Sequence, residues 1–329
     1  MLLMTSAASV DPASWRGVDL ATTKEWVHEL SAAEIDELAH AVGVIRKHGV
    51  DVASARPDHV PLPGLAPVID DWADALDAGR GFVLVRGLPV DELGEADAAL
   101  AYMALGVHLG VPVSQNAGGD LLGHVRDDGS DPDDPTVRRY RTRLAQPFHV
   151  DGSDVVGLLC LQRAKSGGLS QIVSSVTIFN ELARRRPDLV PLLAEPWHFD
   201  FYGQERPGER PWFTAPILSG LPDRFRFMYI RWYIDKAQDH PDVPRLTDEQ
   251  RELLDLVDSL AADPELRLDM DFEPGDIQLL ANRTILHSRT EYEDHADPAR
   301  RRHLLRLWLT LHRNVIDGSG RGGIPIKTA

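Results

Sequence analysis

A mainly β, α+β chain with helices packed outside a β-sandwich or barrel core is what this sequence predicts, on three observations. Apolar strand-like runs outnumber helical stretches in the second half and are separated by irregular loops. Few segments alternate strand and helix at the spacing of a βαβ unit. No GxGxxG follows a strand, which disfavours a Rossmann sheet.

The elements follow in order. Ser31 with Glu34 reads as a capping box, Gly49 as a C-terminal stop, and Ile35, Leu38, Val42 and Ile45 as one apolar stripe, so Ala32 to His48 is a helix. Gly81 to Arg86 is a short apolar run before Gly87 and reads as a buried strand; residues Glu95 to Leu109 read as a helix stopped by Gly110. From Gly118 to Gln146 the chain is polar and reads as a solvated loop, whose acidic cluster Asp127 to Pro135 lacks the ligand order of an EF-hand. Val155 to Gln162 and Ser170 to Ser174 read as a strand pair around Lys165 to Gly168, and Ile178 to Arg185 as a helix ended by Pro187. The stretch from Pro187 to Leu266 is mixed: Phe225 to Tyr233 is aromatic-rich and strand-like, while Thr247 and Gln250 cap a helix carrying Leu253, Leu254, Val257 and Leu260. Ile277 to Ala281, a turn at Asn282-Arg283 and a long strand from Arg302 to His312 close the core.

Composition narrows the function. The 329 residues are 43% hydrophobic and 26% charged, an ordinary globular balance. A net charge of −16 removes most support for a nucleic-acid binder, leaving only the short run Arg300 to His303 in its favour. The single cysteine, Cys160, excludes an internal disulfide framework and a Cys-rich zinc site. No apolar run is long enough to cross a bilayer and Met1 to Ser9 does not resemble a signal peptide, so the expectation is a cytoplasmic protein that does not span a membrane.

Three segments carry chemistry. In Phe148-His149-Val150-Asp151-Gly152 an extended backbone points His149 and Asp151 the same way, supplying one imidazole and one carboxylate. Those are two thirds of the facial triad of non-haem Fe(II), although an exposed polar pair at a strand end explains so short a pattern equally well. The block from Phe272 to His287 turns at Pro274-Gly275 and ends in a second histidine, so far downstream of the first that only the fold brings them together. The final strand alternates: Arg302, Leu304, Arg306, Trp308 and Thr310 share one face, and a row of leucines the other. Two guanidinium groups among apolar neighbours need anions, either a bound carboxylate or local acids such as Glu291, Glu293 or Asp294.

His149-x-Asp151, the Gly167 to Ser170 stretch, the Pro-Gly-Asp…Asn…His287 block and the Arg302…Arg306 strand occur in that order. Together they resemble the taurine dioxygenase (TauD/TfdA) and clavaminate synthase-like Fe(II)- and 2-oxoglutarate-dependent oxygenases, over roughly Gly81 to Asn314. The resemblance implies a double-stranded β-helix, or jelly-roll, core. It implies one catalytic domain over 1–329, with a helical lead-in at 1–80, the core at 81–314, an insertion or lid at 187–266 and a tail at 315–329. It makes His149, Asp151 and His287 the catalytic iron ligands, and places Arg302 and Ser170 on the far carboxylate of 2-oxoglutarate. Serine stands where the family commonly has threonine. Arg306 and Gly152 fall to the substrate side.

The implied reaction consumes O2, turns 2-oxoglutarate into succinate and CO2, and hydroxylates a small anionic or amino-acid-like molecule; desaturation and cyclisation use the same machinery. The intact carboxylate of Asp151 disfavours halogenation. A jelly-roll metalloenzyme without 2-oxoglutarate and a non-catalytic binding protein on the same fold are the alternatives. Whether the chain forms a homo-oligomer is left open. The aromatic residues Trp212, Phe213, Phe225, Phe227, Tyr229, Trp232 and Tyr233 are expected to be mostly sheet core, with a lid or pocket lining as the other reading.

Overall fold

The computed structural model describes residues 11–49, 55–116, 118–131, 137–205, 208–221 and 224–315. Its strands and helices run β1 (Val27–Glu29), α1 (Ala32–His48), α2 (Leu65–Asp77), β2 (Phe82–Arg86), α3 (Val90–Leu109), β3 (Gly110–Pro112), β4 (Leu122–Val125), β5 (Gln146–His149), β6 (Val155–Gln162), β7 (Ser170–Ser174), α4 (Ser175–Arg185), β8 (Trp197–Asp200), β9 (Trp212–Ala215), α5 (Arg231–Ala237), α6 (Asp248–Ala262), β10 (Leu268–Met270), β11 (Ile277–Ala281), β12 (Ile285–Arg289) and β13 (His303–Leu311), with shorter turns between.

Two sheets face each other as a jelly roll. The larger has the order β1-β2-β11-β6-β13-β3, with β4 also on β13; the smaller has the order β10-β7-β12-β5. Period-two alternation explains the layers. Leu305, Leu307, Leu309 and Leu311 point outward from the large sheet and pack with Leu38, Ile45, Ile69 and Tyr102 of the N-terminal helices. Leu304 and Trp308 point inward and meet Ile172 and Ile285 of the small sheet. The other face of the small sheet, with Val173 and Leu286, is covered by α4, α6 and the strand β8.

The helix from Ala32 to His48 has the expected ends: Ser31 Oγ accepts from the Glu34 amide, Glu34 reaches back to the Ser31 amide, and Gly49 closes it at φ +63°. The Thr247–Gln250 capping box is present as well. Four expectations need correction. Val155–Gln162 and Ser170–Ser174 do not pair; they lie in opposite sheets. Gly167 and Gly168, at φ +73° and φ +72°, turn the chain across the sandwich between them. In the stretch 225–233 only Arg226–Phe227 is strand, and Arg231 begins a helix. The segment 118–146 contains β4 and returns at Tyr140 and Gln146 to line the interior; residues 132–136 of the acidic stretch lie outside the described residues. The lead-in is not purely helical, since β1 extends the large sheet in parallel with β2. All but Val315 of the expected tail, 315–329, also lies outside the described residues. No helix among the described residues is long and apolar enough to cross a membrane.

Candidate active site

The candidate residues gather in the interior of the sandwich at the β5–β12 end. His149 ends β5, and His287 stands directly opposite it in the antiparallel β12 register. Asp151 follows two residues on, its amide donating to Asn282 Oδ1 at 2.8 Å, so the turn after β11 fixes the backbone that carries it. Ligand atoms of His149, Asp151 and His287 lie within 4.8 Å of one another. His149 Nε2 is 4.0 Å from Asp151 Oδ1, and His287 Nε2 is 3.9 Å from Asp151 Oδ2. These separations are too long for hydrogen bonds, yet one ion with bonds of about 2.1 Å spans them.

The protonation states suit such an ion. Burial pushes both imidazoles down, His287 to about 3 with help from His149 and Arg306, so both present a neutral ring at pH 7. The His149 Nδ1–H donates to the Pro147 carbonyl at 2.9 Å, leaving Nε2 as the free lone pair, which the Gln146 amide meets at 2.9 Å. Burial alone would raise the Asp151 carboxyl, but Arg306, His287, His149 and the Trp308 indole N–H at 3.0 Å outweigh it and hold it below the usual carboxylate range. Two neutral nitrogens and one carboxylate oxygen are a donor set for ferrous iron.

Beside this triad lie three buried guanidinium groups. Arg302 lines the same cavity as the triad and Ser170. Its guanidinium makes no ion pair with a carboxylate among the described residues: Asp294 accepts from the Arg302 backbone amide instead, Glu293 pairs with Lys165, and Arg302 Nη1 is buried without a partner. The local-acid explanation for this arginine therefore fails. Ser170 Oγ donates to Gln278 Oε1 at 3.0 Å. Arg306 donates through Nε to Gln115 Oε1 at 2.7 Å, places Nη1 3.7 Å from Asp151 Oδ2, and lies over the rings of Tyr140 and Trp308. Gly152 adjoins Asp151 without lining the cavity.

Sequence reasoning missed the third guanidinium. Arg289 is two residues past His287 on β12, directly across from Ser170 in the register, and 6% exposed. Its Nη2 donates to the carbonyls of Thr142 and Leu144, while Nε and Nη1 have no partner. Arg289 and Arg302 lie over the Tyr292 ring at 4.9 and 5.1 Å. Alternation along His287-Ser288-Arg289 was the available signal, since it puts Arg289 on the face of His287. Of the aromatic segment, Phe225, Phe227 and Tyr229 are core, whereas Trp232 packs edge-on to His149 at 5.0 Å. A bridge between His149 and Ile230 and the bond from the Val150 amide to the Tyr229 carbonyl tie the insertion to the triad strand.

A jelly roll with two imidazoles and a carboxylate converging between its sheets defines a class, the dioxygenases built on this core. Residues 47–308 match the family described as taurine catabolism dioxygenase TauD, TfdA family, and the chain belongs to that family. Among relatives, FR-33289 synthase of Streptomyces rubellomurinus is 30% identical over 90% of this chain and 88% of its own length. Uridine-5'-phosphate dioxygenase of an Amycolatopsis species is 27% identical over 69% of this chain and 84% of its own. Among solved structures, asparagine oxygenase in complex with Fe(II), 3-hydroxyasparagine and succinate superposes with a TM-score of 0.67 at 19% identity, covering 87% of this chain and 94% of the other.

Proposed function

We propose that this dioxygenase acts as one catalytic domain that holds ferrous iron on His149, Asp151 and His287, and couples conversion of 2-oxoglutarate to succinate and CO2 to hydroxylation of a small anionic molecule. The observation that carries the reading is Arg302, a buried guanidinium without a carboxylate in the cavity that holds the triad. Iron, when bound, supplies the oxidising chemistry with O2 and 2-oxoglutarate. Succinate and Fe(II) in the asparagine oxygenase complex accord with this.

The chain's own groups do the rest. Arg302 offers the fork that a carboxylate takes bidentately, and Arg289 brings two more unused N–H donors to the same aromatic ring. Ser170 joins them by turning its hydroxyl from Gln278 to the carboxylate. Gln146 must give up the His149 lone pair for iron to bind there. Trp308 and Arg306 keep Asp151 ionised, and Trp232 shields His149 from water.

Charge decides the substrate class. Three guanidinium groups face one carboxylate in the cavity, while ferrous iron and 2-oxoglutarate cancel each other. The remaining positive charge calls for an anionic substrate, with Arg306 as its partner, since unpaired buried charge is costly. The name of the uridine-5'-phosphate dioxygenase relative points the same way.

A screen of phosphorylated, phosphonate and amino-acid compounds for succinate release, with mass detection of products, tests the reading. A gain of one oxygen on an anionic compound is expected; loss of two hydrogens would make the reaction a desaturation. An anaerobic Fe(II) form that takes up no 2-oxoglutarate would overturn the proposal in favour of a metalloenzyme without that cosubstrate.

A further inference from the structure

A second convergence of ligand side chains lies outside the cavity, on the flank of the large sheet. His303 opens β13 and His124 lies on β4, and these two strands pair antiparallel. The imidazoles stack with centroids 5.0 Å apart, and His124 Nδ1 is 2.8 Å from His303 Nε2. Glu95 comes from α3, immediately after Gly94 breaks that helix at φ +72°. The break aims its carboxylate at the pair, 4.0 Å from His124 Nδ1 and 3.8 Å from His303 Nδ1. These carboxylate–imidazole separations match the 4.0 and 3.9 Å found in the catalytic triad. Ligand atoms of all three residues lie within 4.8 Å of one another.

We propose that Glu95, His124 and His303 form a second divalent-metal site, suited to Zn2+. Two imidazole nitrogens and a single carboxylate favour zinc over calcium or magnesium, which take mostly oxygen ligands. Paired strands hold the backbones of both histidines, so the two ligands are brought together without ordering of a loop. The present contact between the rings, at 2.8 Å, is a hydrogen bond in which one nitrogen donates and the other accepts. For an ion to take its place, one ring would turn about its Cβ–Cγ bond.

A groove of about 690 Å³, which Glu95, Arg126, Arg301 and His303 help to line, adjoins these residues and would give a bound ion access to solvent or a small ligand. Arg302 borders this groove on one side and the catalytic cavity on the other, so the outer ion would stand one residue along from the cosubstrate arginine. The assignment does not depend on the reading of the catalytic site, and the two are separable by mutation.

Zn2+ stoichiometry on the full chain decides the matter, measured by equilibrium dialysis with metal analysis. His124→Ala and Glu95→Gln alter side chains that are 47% and 57% exposed, so the fold tolerates both. In an Asp151→Ala background, one Zn2+ per chain is expected, and adding His124→Ala should remove it; Glu95→Gln should weaken it at least tenfold. The same loss of one Zn2+ is expected when His124→Ala is made in the wild-type chain, whatever the first site retains. An Asp151→Ala protein that binds no Zn2+, or a stoichiometry unchanged by His124→Ala, would overturn the proposal.

Discussion

Arg289→Gln separates ligand binding from folding by the sign of its two effects. In the ligand-free protein Arg289 is a liability: burial and the like charge of Arg302 lower its pKa well below the ordinary guanidinium value, to about 10. That shift corresponds to roughly 3 kcal/mol of unfavourable electrostatics at neutral pH. Nε and Nη1 add two buried donors without acceptors. Against this stand the charge-assisted bonds from Nη2 to the Thr142 and Leu144 carbonyls, worth about 1.5–3 kcal/mol each, which a glutamine amide partly replaces. Arg289→Gln should therefore leave the ligand-free fold unchanged or stabilise it by up to about 2 kcal/mol. Cosubstrate binding should move the other way. Loss of a charge-assisted bond to a carboxylate costs about 1.5–3 kcal/mol, or roughly a 10- to 150-fold rise in the 2-oxoglutarate Kd. Urea unfolding of the ligand-free protein gives the first quantity, and anaerobic calorimetric titration of the Fe(II) form the second. A Kd within threefold of wild type together with a stability loss of about 3 kcal/mol or more, the worth of the two carbonyl bonds, would show that Arg289 only anchors the loop at Thr142 and Leu144. That result would refute the reasoning.

Three further outcomes are expected. Trp308→Phe removes the indole N–H from Asp151 and should weaken Fe(II) binding about 10- to 100-fold, read by anaerobic metal titration; unchanged affinity would mean that Asp151 needs no such support. His287 has a folded pKa of about 3 against 6.5 unfolded, so the unfolded chain binds the extra proton first as pH falls. Its contribution to metal-free stability is complete above the unfolded value and is lost by about 1.4 kcal/mol per pH unit as pH falls from there towards the folded value, a slope that His287→Gln should remove in urea titrations at pH 7 and pH 5. Ser31→Ala deletes the cap of α1 and should cost about 1 kcal/mol in the same unfolding assay while leaving succinate release unchanged.

What was legible in the sequence is what local physics dictates. The capping residues at Ser31, Glu34, Thr247 and Gln250 act within one helical turn, and the helices begin where they stand. Alternation along the last strand put the leucines on one face and Arg302, Arg306 and Trp308 on the other; the structure makes the first the outer core and the second the interior. It also set His149 and Asp151 on one side, which the family resemblance turned into a candidate metal site. The stretch 225–233 misled because aromatic residues favour strands only while they have a sheet to join, and here tertiary packing on β8 makes the last part α5.

The tertiary structure alone decided which strands pair and which buried charges go without partners. Sheet pairing is non-local: β6 and β7 are close in the chain but finish in opposite sheets, while His149 and His287, far apart in the chain, are cross-strand neighbours. Alternation could place Arg289 on the face of His287, but only the structure shows its donors buried without acceptors. By itself the sequence determined the types of ligand this protein carries and the faces they share, because side-chain chemistry and strand period are local properties. Their meeting around one ion-sized gap, and the second meeting of Glu95 with His124 and His303, came from chain crossings, whose free energy depends on the whole fold at once.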